Sequence, residues 1–302
     1  LGSYRKMVER QPGQAAPLVK LASARAAAKD LPGARKALQD ALRLQPDFLD
    51  AQMMLGGVEI QSGRFDDAQK LAKQVQQQKP DKAAGFILEG DTAFARKDYP
   101  AALAAFERAQ ELEPSGALLV RQMQVFNATQ RPEEGEKRLV AWLATHPQDA
   151  SIRAALAEIL LKHEQYKAAA EHYLILNKSN PNNLLVLNNL AWSLFESKDN
   201  RALGFAEQAL KLKPDNPAVM DTLGWILVQQ GQIERGIKLL QQALSKAPDA
   251  AEIQFHLASA FAQSGDPTRA QSELNRLLAS GAAFPQEPEA RALLKQLQGK
   301  TR

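Results

Sequence analysis

Cysteine is absent from the 302-residue chain, which excludes disulfides and thiolate metal sites. Aromatic residues are scarce at 6%, whereas alanine is abundant, and this balance favours closely packed helices over a β-sandwich. No apolar run approaches the ~20 residues that span a bilayer, and no apolar segment follows the first basic residues as it would in a signal peptide. The net charge of +4 is too small to indicate nucleic acid binding without a local patch.

Motifs for catalysis and for cofactor binding are also missing. The histidines lie apart in the sequence, at His146, His163, His172 and His256, and none has metal-ligand spacing. We find no phosphate loop, no dinucleotide-binding glycine motif and no nucleophile elbow. We therefore predict a protein that is not an enzyme and that uses neither a cofactor nor a metal ion.

A regular series of prolines reveals the organisation of the chain. The prolines are Pro12, Pro46, Pro80, Pro114, Pro147, Pro181, Pro214 and Pro248, with spacings of 34, 34, 34, 33, 34, 33 and 34 residues. A period of 34 residues is typical of helix-turn-helix solenoids. With these prolines at position 32, eight repeats begin at Ala15, Leu49, Ala83, Ala117, Ala150, Leu184, Pro217 and Ala251.

Small residues recur where the two helices of a repeat should cross. Position 8 is Ala22, Gly56, Gly90, Gln124, Ala157, Ala191, Gly224 and Ala258. Position 20 is Ala34, Ala68, Ala102, Gly135, Ala169, Ala202, Gly236 and Ala270. A glycine inside a helix costs about 1 kcal/mol against alanine, so we predict that Gly224 permits close helix packing instead. This pattern resembles the tetratricopeptide repeat family, which has small residues at positions 8, 20 and 27 and a proline at position 32.

The resemblance implies an all-α fold, a right-handed superhelical α-solenoid of helix-turn-helix repeats with a C-terminal capping helix. The predicted segments are 1–14 (helix B of a truncated preceding repeat), 15–48, 49–82, 83–116, 117–149, 150–183, 184–216, 217–250, 251–284 (repeats 1 to 8) and 285–302 (capping helix and tail). The fourth and sixth repeats have 33 residues, and we place their missing residue at the turn between the two helices. Because residues 4–11 match a helix B without its helix A, we expect further repeats upstream.

The first helix of each repeat, helix A, should line a concave groove. We predict a protein-binding site there from Asn188, Trp192, Phe195, Asp221, Trp225 and Phe255. Aromatic residues with polar neighbours are typical of interface hot spots. Trp192 and Trp225 hold the same position in neighbouring repeats, so they either form this patch or only fill space against the adjacent helix. Asn188 and Asn189 could bind the backbone of a partner.

The predicted groove is acidic. Six acids lie at groove positions, namely Asp50, Asp91, Glu158, Glu196, Asp221 and Glu252, against Arg121 and Lys162. This charge argues against nucleic acid in the groove. It also argues against the carboxylate clamp of chaperone adaptors, because Ala154 and Glu158 stand where that clamp needs lysine and asparagine.

Three segments carry a finer resemblance. They are "SGALLVRQMQVFNATQRPEEGEKRLVAWLATHPQDA", "LNNLAWSLFESKDNRALGFAEQALKLKPDNPAVMDTLGWILVQQG" and "LLASGAAFPQEPEARALLKQL". Together they resemble the C-terminal part of the tetratricopeptide-repeat lipoprotein of the PEP-CTERM/exosortase system in Gram-negative bacteria. The resemblance implies a periplasmic scaffold, held at the outer or inner membrane by an upstream lipid anchor, with a link to exopolysaccharide export or to sorting of PEP-CTERM proteins.

Three functional hypotheses follow from these patterns. The first is a non-catalytic scaffold that binds a protein or peptide partner in its groove. The second is the substrate-recognition array of a larger enzyme, such as a glycosyltransferase fused to these repeats, and a nucleotide-sugar domain elsewhere in the full protein would favour it. The third is self-association through the N-terminal half repeat. The sequence leaves open whether the ligand is a peptide or a glycan.

Overall fold

The computed structural model of the chain describes residues 2–11 and 13–300, so Pro12 of the proline series lies outside the described residues. Eighteen α-helices and no β-strand occur within these ranges. The prediction of an all-α solenoid built from helix pairs is therefore confirmed. The chain divides after Ile152 into two compact bodies, which we call the N-terminal body and the C-terminal body.

The helices alternate between a first and a second helix of each pair. In the N-terminal body they are α1 (Gly2–Arg10), α2 (Ala15–Ala27), α3 (Leu31–Leu44), α4 (Leu49–Gln61), α5 (Phe65–Gln78), α6 (Ala84–Ala95), α7 (Tyr99–Leu112), α8 (Gly116–Ala128) and α9 (Pro132–Thr145). Helix α10 (Ala150–Lys162) contains the division between the bodies. The C-terminal body continues with α11 (Tyr166–Ser179), α12 (Leu184–Glu196), α13 (Ala202–Leu212), α14 (Pro217–Gln229), α15 (Ile233–Lys246), α16 (Ala251–Gln263), α17 (Pro267–Ala279) and α18 (Glu287–Lys300).

The periodic prolines stand just beyond the second helix of each pair. Pro46, for example, lies two residues after the end of α3, and Pro248 lies two residues after the end of α15. Proline cannot donate a backbone hydrogen bond and cannot continue a helix, so each of these residues ends one pair before the next begins. The boundaries of the individual repeats stay a prediction.

The turn inside each pair contains one residue in the left-handed conformation. It is glycine at Gly63, Gly231 and Gly265, and a residue with a side chain at Lys29, Lys97, Gln130, Glu164 and Lys198. A left-handed residue after a helix lets the following backbone N–H groups donate hydrogen bonds to the last carbonyl groups of that helix. The second helix then starts on a side-chain cap in several repeats; Asp98, for instance, accepts a hydrogen bond from the backbone N–H of Ala101 at 3.2 Å.

Small residues bring the backbones of paired helices together, as predicted for Gly224. A Cβ atom on Gly224 would lie 3.2 Å from the carbonyl oxygen of Gly236 and 2.9 Å from Leu240 Cγ, both on α15. A Cβ atom on Gly236 would lie 2.6 Å from the carbonyl oxygen of Gly224. The two glycines therefore face each other where α14 crosses α15, which explains their place inside helices.

The predicted place of the missing residue in the fourth repeat is wrong. The turn from α8 to α9 has three residues, as in most other pairs, whereas the loop before α8 is shorter than its counterparts. Gly116 begins α8, and a Cβ there would lie 2.6 Å from Asp149 Oδ2. As a result, Met123 rather than Gln124 occupies the helix crossing, and its sulfur fills the space over Gly135.

The two helix types differ in how much of their surface is buried. Helix α15 buries one stripe, which includes Leu240 and Leu244, and carries charged residues on the opposite side. Helix α14 buries residues on several sides because it packs against α13, α15, α12 and α16. Hence, side chains of the first helices reach solvent only along a narrow strip. No helix among the described residues is long and apolar enough to cross a bilayer.

Candidate functional site

The candidate site lies on three consecutive first helices of the C-terminal body. Helix α12 packs against α14, and α14 packs against α16. All six predicted site residues fall on these helices, with Asn188, Trp192 and Phe195 on α12, Asp221 and Trp225 on α14, and Phe255 on α16. Each of the six is partly exposed, so neither indole is sealed away from solvent. Their part in binding stays a prediction.

His256 on α16 joins these residues into one cluster. Its imidazole stacks on the indole of Trp225, with ring centroids 4.6 Å apart and planes at 14°. The Trp192 indole lies 6.0 Å from the same imidazole. His256 Nδ1–H donates to Asp221 Oδ1 at 2.8 Å, although the side chains are only 6% and 13% exposed. The paired imidazole thus holds both indoles and the carboxylate in place.

The cluster continues along the strip at both ends. Phe195 lies 5.8 Å from Trp192, and Phe255 lies 6.2 Å from His256 and equally far from Phe284. We call Trp192, Phe195, Trp225, Phe255 and His256 the aromatic face. Tilted and stacked rings at these separations attract one another beyond their burial alone, so the face is formed before any ligand arrives.

Sequence reasoning missed His256, which we had grouped with isolated histidines. The spacing of the repeats could have predicted the contact of His256 with Asp221. Asp221 and His256 are 35 residues apart, one repeat of 34 residues plus one. Neighbouring first helices place such residues side by side. Applying the repeat period to charged pairs would have found this contact.

The two asparagines that we expected to bind a partner's backbone differ in their hydrogen bonds. Asn189 Nδ2 donates to Tyr173 Oη at 3.1 Å, which occupies that amide within the fold. Asn188 Oδ1 is buried and receives no hydrogen bond within the described residues. A buried acceptor without a donor costs free energy, and a partner would reach this oxygen only after the side chain of Asn188 turned towards solvent.

Glu196 ends α12 beside the aromatic face. Its carboxylate is partly buried and makes no hydrogen bond or ion pair with any part of the chain that the structure describes. Loss of hydration raises the pKa of Glu196 above its ordinary value; the nearby charge of His256 opposes this rise, and that of Glu164 adds to it. Glu196 also lines an open cleft of about 660 Å³ with Glu164, Tyr166 and other residues of the α10–α11 turn and α11.

The charge of these three helices has one sign. Helices α12, α14 and α16 contain Glu196, Asp221 and Glu252 but no lysine or arginine. Within residues 2–11 and 13–300, no group of three or more metal-ligating side chains occurs. These three helices thus carry both the aromatic face and acidic side chains.

Comparison with known proteins agrees with this architecture. One tetratricopeptide repeat model matches residues 25–88 and 227–297, and a second matches residues 128–183, so the matches together cover more than half of the chain. The chain belongs to the tetratricopeptide repeat family. Proteins of this family are in general protein–protein interaction scaffolds, and this protein has the same design.

The chain is also similar to two individual proteins. It is 25% identical over 226 residues to the TPR repeat-containing protein PA4667 of Pseudomonas aeruginosa, and the match covers 74% of this chain. The chain spans about a third of that relative, since the match covers 33% of it. The crystal structure of the APC/C hetero-tetramer Cut9-Hcn1 is similar over 88% of this chain and 52% of its own, with 17% identity and a TM-score of 0.56. This second likeness concerns the fold alone.

Proposed function

We propose that this tetratricopeptide repeat protein binds a segment of a partner protein on the aromatic face, and that it does so as a non-catalytic scaffold. The observation that carries the proposal is the contact of His256 with both indoles and with Asp221. A face whose side chains are already ordered limits the entropy lost on binding to that of the partner. Partly exposed tryptophans at the centre of such a face are typical hot-spot residues.

Substitution of the two indoles tests this proposal. We expect Trp192→Ala together with Trp225→Ala to abolish capture of envelope proteins by the immobilised chain. Trp225 packs against the buried core of the C-terminal body, whereas the ring contacts of Trp192 are with Phe195 and His256. The single variant Trp192→Ala therefore separates loss of binding from loss of folding, and helicity measured by circular dichroism confirms that each variant is folded.

Trp142 provides the matched control. It lies in the N-terminal body, where its Nε1–H donates to Asp149 Oδ2 at 2.9 Å, so Trp142→Ala removes an indole outside the aromatic face. Capture should persist in this variant. Equal capture by the parent chain and by Trp192→Ala would refute the assignment of the face.

We also propose that the partner belongs to a bacterial envelope assembly for exopolysaccharide export or PEP-CTERM protein sorting, and that the full protein is a periplasmic lipoprotein. The support for this is the resemblance of the three sequence segments described above. Fractionation of the source organism, with metabolic labelling by a fatty acid, tests the location. Recovery of the full-length protein in the cytoplasm without label would contradict it.

A further inference from the structure

Two acids on first helices of the N-terminal body are paired with arginine side chains of the chain itself. In the N-terminal body, Asp91 on α6 accepts a hydrogen bond from Arg121 Nε on α8 at 3.0 Å. Glu59 on α4, almost fully buried, is paired with Arg35 at 2.7 Å and also with Arg64. There the chain itself provides an arginine for each of these acids.

The corresponding helices of the C-terminal body have no such arginine. Asp221 is paired with His256, whereas Glu196 makes no ion pair among the described residues. Helices α12, α14 and α16 contain no lysine or arginine. Lys162 at the end of α10 and Lys167 on α11 are lysines of the neighbouring helix pair, and neither is paired with Glu196. A carboxylate that loses hydration without gaining a partner is destabilised in its charged form. A cation from outside the chain would remove this penalty.

The surroundings of Glu196 favour a planar cation. Trp192 precedes Glu196 by one helical turn, and Tyr166 lines the same cleft. Glu164 and Glu171 add negative charge at the cleft, where Lys167 is the one basic lining residue. A guanidinium group can stack on aromatic rings and bind a carboxylate through two hydrogen bonds, whereas an ammonium group is a more strongly hydrated point charge.

We infer that the partner segment carries an arginine that enters the cleft at Glu196, next to an apolar residue that rests on Trp192 and Trp225. This inference rests on the proposed function of the aromatic face. The arginine of the partner would take the role that Arg121 has opposite Asp91 in the N-terminal body.

Selection from a random twelve-residue peptide library displayed on phage tests the inference. The baits are the parent chain, Glu196→Gln, the variant with both Trp192→Ala and Trp225→Ala, and Trp142→Ala as the control. Peptides selected by the parent and by Trp142→Ala should be enriched in arginine followed by an apolar residue. Glu196→Gln should still select apolar peptides but without arginine enrichment, and the double tryptophan variant should select none of them.

A pair of synthetic peptides measures the contact itself. One is the strongest selected sequence, and the other has citrulline, an uncharged analogue of the same shape, in place of arginine. We expect the parent chain to bind the citrulline peptide about 10-fold to 100-fold more weakly, in line with a charged hydrogen bond. Glu196→Gln should bind the two peptides equally. Because the Glu196 carboxylate has no partner among the described residues, Glu196→Gln should melt no lower than the parent.

The possible results separate the two proposals. Peptides that depend on the tryptophans but lack arginine would overturn the inference and leave the proposed function standing. Peptides that bind the double tryptophan variant as well as the parent, or no selected peptides at all, would overturn both. Sedimentation that shows a dimer abolished by Trp192→Ala would make a second copy of the chain the occupant, and would also overturn the inference.

Discussion

Replacing Gly236 by alanine should force α14 and α15 apart. The added Cβ would lie 2.6 Å from the carbonyl oxygen of Gly224 and 3.0 Å from the backbone nitrogen of Val228. Both are backbone atoms, so no side-chain rotation relieves the contact. To restore an ordinary separation of 3.4 Å, the two helices must move apart by about 0.8 Å.

Two opposing effects set the change in the free energy of unfolding caused by Gly236→Ala. Overpacking of a close contact typically costs about 1–3 kcal/mol. Alanine is a better helix former than glycine by about 1 kcal/mol, which offsets part of this cost. Because the added Cβ of residue 236 meets backbone atoms of α14, we expect an overpacking cost in the upper part of that range. The net destabilisation should therefore be about 1–2 kcal/mol.

Gly204 in α13 is the control for this substitution. It is exposed in the same body, and a Cβ on it would meet no atom within 4 Å. Gly204→Ala should therefore stabilise the body by up to about 1 kcal/mol. Urea unfolding followed by circular dichroism measures both effects, and hydrogen exchange locates them, because repeat arrays need not unfold in two states. Shifts of the same sign in both variants would refute the reasoning.

Three further predictions concern other parts of the chain. Glu196 has a raised pKa in the folded protein, so its contribution to stability is full below pH 4.5 and is lost as the pH rises through its folded pKa; relative to Glu196→Gln, the parent should lose stability in urea titrations as the pH rises above 4.5. His256→Ala leaves the carboxylate of Asp221 without its hydrogen bond, which should cost about 1–3 kcal/mol in urea unfolding and change the fluorescence of Trp225. Lys97→Gly relieves a left-handed residue with a side chain and should raise the melting temperature, with a net gain below about 1 kcal/mol.

Each of these three has a matched comparison. A pH-independent difference between the parent and Glu196→Gln would contradict the assigned desolvation. His146→Ala removes an exposed imidazole stacked on Trp142 at 3.7 Å, so it should change fluorescence with little loss of stability; an equal loss in both histidine variants would contradict the role of His256. Gly63→Ala, at a left-handed position that already has glycine, should be destabilising by about 1 kcal/mol, opposite in sign to Lys97→Gly.

Local sequence rules predicted the features that depend on single residue types. The periodic prolines indicated where helix pairs end, because proline cannot continue a helix. Gly224 and Gly236 indicated a close helix crossing, because each position leaves no room for a side chain. The missing residue of the fourth repeat could not be placed in this way. A one-residue deletion fits either loop, and only the observed ends of α7 and α8 show that the loop between them is the shorter one.

The candidate site could also be predicted only in part from the sequence. The strip of Asn188, Trp192 and Trp225 could be named from repeat positions, since a position fixes the side of the helix. The pairing of Asp221 with His256 depends on the exact offset between neighbouring helices, and the bond of Asn189 to Tyr173 depends on side-chain length. These contacts decide which polar groups remain available for a ligand.

The prolines beyond each second helix have a consequence for how such a chain changes over generations. Recombination between two copies of the gene at the codons of these prolines would add or remove one whole helix pair. Both junctions would fall in loops, such as the one that contains Pro214, so no helix would be interrupted. Proteins that descend from such a gene could therefore differ in length by whole helix pairs, and a helix pair that carries a binding surface could be inherited intact.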